Sequence, residues 1–130
     1  MGFQSITNSI TTYLQDICDI NNFVIRFDND LRSTPTDSLW FECKINFENS
    51  EQKELGINSY RNPGNVIIKI KNELGLGLAD LLAKADIIIT AFRTINIGSI
   101  IFRVPSIKNN GRIEDNWEVE ITCPFYVDEN

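Results

Sequence analysis

The sequence predicts a two-layer α+β domain: a mixed or antiparallel sheet of about five strands with two helices packed on one face. Three observations lead there. Two segments repeat apolar residues at three- and four-residue steps, as amphipathic helices do. Most of the other regular segments alternate apolar with polar residues, which gives a sheet one dry face and one wet face. The two helical stripes need apolar cover, and the dry face supplies it. At 130 residues the chain reads as a single domain, 1–130.

Taken in order, Phe3, Ile6, Ile10, Tyr13, Leu14 and Ile17 predict a helix over 3–18, with Asp19 to Asn22 as the turn out of it. Phe23, Ile25 and Phe27 alternate with Val24, Arg26 and Asp28 as a first strand, and Ser33-Thr34-Pro35-Thr36-Asp37 is turn chemistry. Leu39, Phe41, Cys43, Ile45 and Phe47 alternate with Trp40, Glu42, Lys44, Asn46 and Glu48 as a second strand. Residues 48–65 are polar and aperiodic and include Arg61-Asn62-Pro63-Gly64-Asn65, so a mobile loop is expected. A third strand follows, with Val66, Ile68 and Ile70 inward and Lys69 and Lys71 outward.

A second helix is expected over 76–93, its broad apolar face made by Leu78, Leu81, Leu82, Ala85, Ile88, Ile89 and Phe92. Ile95 and Ile97 lead through Gly98 to the strand Ile100-Ile101-Phe102-Arg103-Val104, stopped by Pro105. Residues 106–116, with Asn109-Asn110-Gly111, read as a second mobile loop. In the last strand Trp117, Val119, Ile121, Cys123 and Phe125 alternate with Glu118, Glu120, Thr122 and Tyr126. Arg26, Glu42, Lys44, Lys69, Arg103, Glu118 and Glu120 are then expected on the exposed face.

Composition narrows the chemistry. There is no histidine, which removes the commonest general base and zinc ligand. Cys18, Cys43 and Cys123 are widely spaced and odd in number, which suits buried thiols in a reducing compartment and no metal site. The net charge of −6, with no Lys/Arg run, argues against specific nucleic-acid binding. Met-Gly-Phe-Gln-Ser has no charged leader or long apolar run, and no stretch approaches a membrane span, so a soluble protein made in the cytoplasm is expected.

Two motifs invite a ligand and fail their own requirements. Gly75-Leu76-Gly77 between a strand and a helix resembles the start of a dinucleotide loop, but Asp80 stands at the third glycine's place. An aspartate there favours the helix dipole and repels a phosphate. Asp28-Asn29-Asp30 opens like a calcium loop, yet Ser33 replaces the required glycine and Leu39 the closing glutamate. No cofactor and no metal are expected, and no pair stands out among the 18 acids for carboxylate hydrolysis.

As a whole the chain resembles the tail terminator proteins of long-tailed bacteriophages, the minor tail proteins that cap the tail tube. The resemblance runs nearly end to end. It comprises the N-terminal helix, Asp28-Asn29-Asp30 with Pro35 after it, Trp40-Phe41-Glu42 and Leu55-Gly56. It continues through Arg61 and Gly64, Gly75-Leu76-Gly77, Ala85-Asp86 and Phe92 in the second helix, and Phe102 with Pro105. Gly111, Trp117 and Pro124-Phe125-Tyr126 complete it.

The resemblance implies a non-enzymatic, structural role in the virion tail. The protein would form a homo-hexameric ring, bound on one side to the major tail tube protein and on the other to a head-completion protein, with no membrane partner. Competing readings are an adaptor or ring component of another tubular assembly, and a carboxylate-based hydrolase.

Three residues are the sequence's candidates for subunit contacts: Trp40, Tyr60 and Arg61. Arg61 beside Tyr60 reads as an interface anchor or as an exposed loop arginine. Trp40 falls on the polar side of its strand, which fits a subunit contact or an edge covered by a loop. Trp117 continues the apolar alternation and is expected in the core. Glu118 and Glu120 read as solvated, or as a negative lining that keeps passing DNA from sticking in a ring's channel.

Overall fold

The computed structural model describes residues 2–27, 39–52, 60–73, 77–93 and 95–129. Among them are two helices and eight strands. In order these are α1 (Phe3–Asn21), β1 (Ile25–Phe27), β2 (Leu39–Phe47), β3 (Glu51–Gln52), β4 (Tyr60–Glu73), α2 (Leu78–Phe92), β5 (Asn96–Ile97), β6 (Ile100–Phe102), β7 (Ser106–Ile113) and β8 (Asn116–Glu129). The sheet runs β1-β2-β4-β8-β6-β5, with β3 added beside β4 and β7 beside β8. β1 lies parallel to β2, whereas β4 runs antiparallel to both β2 and β8. The fold is α+β with a mixed sheet, as the alternation predicts; the strand count exceeds five because β3 and β5 are short additions and β7 was read as a loop.

Both helices bury a single stripe. Ile6, Ile10, Leu14 and Cys18, each four residues apart, are fully buried on α1, as are Leu81, Ala85, Ile88 and Phe92 on α2. They cover alternate residues of the central strands: Phe41 and Cys43 of β2; Val66, Ile68 and Ile70 of β4; Val119, Ile121, Cys123, Phe125 and Val127 of β8. Each fully buried Ile or Leu contributes roughly 1.5–3 kcal/mol of apolar transfer. Tyr13 ties the helices together, its hydroxyl donating to the Ala91 carbonyl at 2.6 Å and its ring edge-on to Phe92.

The helix ends follow their residues. Asn22 caps α1 in the left-handed region (φ 58°), and Gly77 precedes α2 at φ 90°, where a side chain would be strained. Asp80 occupies the first turn of α2 and faces Lys84 at 3.9 Å. The glycine turn is thus a strand-to-helix connection at Gly77; Gly75 and Leu76 lie outside the described residues.

Two segments expected as mobile loops contain strand. β4 begins at Tyr60, so 60–65 pair with β8 rather than loop. Pro63 is accommodated because β2 ends at Phe47, opposite Gly64, and the Glu48 N–H donates to the Pro63 carbonyl. Gly64 is required by space: a Cβ there would stand 2.5 Å from Phe125 Cζ and 2.7 Å from the Asn46 carbonyl oxygen.

In the second segment, 106–113 pair with β8, and Asn109-Asn110-Gly111 is a bulge rather than a turn. Gly111 takes φ 74°, and Asn109 Oδ1 accepts from the Gly111 N–H and from Trp117 Nε1. The turn proper is Glu114-Asp115. Trp117 is half-buried at the core's margin. Residues 53–59, the Asp28-Asn29-Asp30 strand end and the Ser33–Asp37 turn lie outside the described residues.

Candidate functional site

With both helices on one side, the other face of the sheet carries the odd-numbered residues of β4 and the even-numbered residues of β2 and β8. Cross-strand register gathers these into two clusters at opposite ends.

At one end, Trp40 opposes Lys71 across β2 and β4, and Lys71 opposes Glu118 across β4 and β8. Lys71 Nζ lies 4.9 Å from the centre of the Trp40 ring, 3.1 Å from Glu42 Oε2 and 3.8 Å from Glu118 Oε1. From the β7 bulge, Asn110 Nδ2 donates to Glu118 Oε2 at 2.6 Å and to Glu120 Oε1 at 3.4 Å. Glu118 is therefore only 4% exposed, not solvated as expected, because the bulge brings an amide over it. Trp40 is 7% exposed, so little of its ring is left for a partner subunit to cover.

At the other end, Arg61 opposes Asp128 and Pro63 opposes Tyr126. Arg61 grips Asp128 with two bonds, Nε to Oδ1 at 2.8 Å and an outer nitrogen to Oδ2 at 3.1 Å. The same guanidinium sits 4.1 Å from the centre of the Tyr126 ring. Arg103, just past β6, stands 5.0 Å from that ring and makes no ion pair among the described residues. Pro63, Asn65, Pro124 and Glu48 complete a half-open basin of about 250 Å³. Pro124 is tolerated in β8 because it falls between the pairing of Thr122 with β7 and of Phe125 with β6, and its carbonyl accepts from the Arg103 N–H at 2.8 Å.

The three sequence candidates do not converge. Trp40 and Arg61 share the open face, but the partner of Trp40 is Lys71, ten positions beyond Arg61 on β4, or about 33 Å along the strand. Tyr60 points to the opposite face and is 40% exposed. Sequence reading missed the role of Tyr126, Asp128 and Lys71, and placed Arg103 among ordinary solvated charges. The missing signal was the true start of β4: once Tyr60 begins the strand, alternation sends Arg61 to the same face as Tyr126.

Chemically the basin can bind and orient an anion or a flat group. Burial pushes the thiols of Cys18 and Cys123 up to about 12, Cys18 with added repulsion from Asp19, so neither is a ready nucleophile. Among the described residues no cluster of three metal-ligating side chains occurs, and no helix is long and apolar enough to cross a membrane.

No family model and no curated protein matches this chain. It is similar to a solved structure whose name states no function, with a TM-score of 0.74 at 14% identity, covering 98% of this chain and 96% of that one. At that identity the likeness shows the fold and nothing of the activity.

Proposed function

We propose that this chain is a structural virion protein of the tail terminator class, a ring subunit that caps the tail tube of a long-tailed bacteriophage. In that role it ends tube polymerisation and offers the surface on which the head is joined. The observation that supports it best is a sheet that, among the described residues, is sheathed by helices on one face only and carries the Arg61–Tyr126–Arg103 basin on the other.

Motif residues drawn from separate parts of the chain are neighbours there. Gly64 opposes Phe125, and Arg61 lies over Tyr126. These contacts account for the residue types without calling on catalysis.

A tube grows because each ring presents the same upper surface to the next. A ring whose lower side matches that surface and whose upper side does not will stop growth by stoichiometric binding. The test is to add the purified protein to polymerising tube subunits of the same phage and measure lengths by electron microscopy. Short, uniform tubes are expected, with weaker capping by Arg61→Glu. Tubes that elongate unchanged at saturating protein refute the reading.

A further inference from the structure

We propose that copies of this chain meet head to tail, with the Arg103–Tyr126 basin of one copy receiving the acidic Glu114-Asp115 turn of the next. The setting of this contact rests on the ring reading above; its content rests on charge and geometry. Two guanidiniums lie against the Tyr126 ring, and Asp128 matches one of them, Arg61. Arg103 is exposed, lies over that ring and makes no ion pair among the described residues. A half-open space of about 250 Å³ takes one or two side chains, not a helix. Pro63 and Pro124 line it with no N–H to offer, Asn65 Nδ2 is bonded to Glu48 Oε1 at 2.9 Å and Arg61 to Asp128, which leaves Arg103 as the cation for an incoming carboxylate.

The occupant is an acidic segment of this same protein. With 18 acidic and 12 basic residues, two copies repel at long range and associate only where a cation meets a carboxylate at close range. The β7–β8 turn presents such carboxylates. Glu114 and Asp115 are exposed at the tip of a hairpin whose outer strand is largely exposed, and neither makes an ion pair among the described residues. The Arg112 side chain donates to the Glu114 main-chain carbonyl at 3.2 Å and not to either carboxylate, and the tip, residues 112–115, is net acidic.

Turn and basin sit toward opposite ends of β8, from Asn116 to Tyr126, about 33 Å apart at the rise of an extended strand. One end meeting a different end is a heterologous contact, the kind that propagates into a ring when the rotation closes.

Charge reversal and its rescue test the contact. Wild-type protein, Arg103→Glu, Asp115→Arg and a mixture of the two variants are compared by sedimentation velocity up to millimolar concentration. Both positions are exposed, and circular dichroism checks that each variant is folded. Wild type is expected to self-associate, each variant alone to lose roughly tenfold or more in association constant, and the mixture to regain it because every junction again pairs opposite charges.

A wild type that stays monomeric, variants that associate like wild type, or a mixture no better than its components would each overturn the proposal. The tube assay separates this from the terminator reading. Association that follows the charges with no effect on tubes keeps the contact and removes the terminator. Capping that is equal in all variants does the reverse.

Discussion

At the Trp40 end of the open sheet face, a ring, a cation and two carboxylates complete one another; at the Tyr126 end, two cations lie on one ring and the carboxylate of Asp128 is bonded to one of them, Arg61. The materials are alike and the outcomes differ. Lys71 serves Trp40, Glu42 and Glu118 at once, and Asn110 closes over the last of these, so the cluster is satisfied within the chain. Arg103 has a ring to lie on and makes no ion pair among the described residues. A polar cluster completed internally supports stability, whereas one left a partner short is a place to bind. Burial of Trp40 and exposure of Arg103 therefore carry opposite meanings.

Substitutions at the two ends sharpen this contrast. The largest effect is expected from Gly64→Ala, beneath the Tyr126 end. The new methyl would press on a ring and on a carbonyl that cannot yield, costing about 3 kcal/mol by urea denaturation. Lys71→Ala comes next. It leaves Glu118 buried with only an amide partner and uncovers Trp40, for a loss of about 2 kcal/mol.

A gain is expected beside that cluster. Asn72, 1% exposed between Leu39 and Trp117, has neither amide atom hydrogen-bonded among the described residues, so Asn72→Leu should stabilise by about 1 kcal/mol. The smallest effect on folding belongs to Arg103→Glu, within about 0.5 kcal/mol of wild type. Equal losses from Lys71→Ala and Arg103→Glu would erase the distinction between the two ends.

The fold class was legible because alternation and helical stripes are averaged over many residues. Ile6, Ile10, Leu14 and Cys18 on one side and Val119, Ile121 and Cys123 on the other leave few arrangements. The candidate site was only partly legible, for a local reason. Arg61-Asn62-Pro63-Gly64-Asn65 and Asn109-Asn110-Gly111 have turn composition, yet both are strand. In the first, β2 ends opposite Gly64, so the proline needs no partner on that side; in the second, a glycine bulge absorbs the extra residue. Such permissions come from the neighbours' lengths, which a single segment does not carry. Glu118 shows the same limit: its alternation is polar, and its burial comes from Asn110 eight positions earlier.

The measurement closest to the central claim is the length of tails in particles made without this protein. Deleting its gene from the parent phage and imaging the lysate should reveal tails of irregular, excessive length that fail to join heads, and supplying the protein in trans should restore both length and joining. Tails of normal length, joined normally to heads in its absence, would contradict the account.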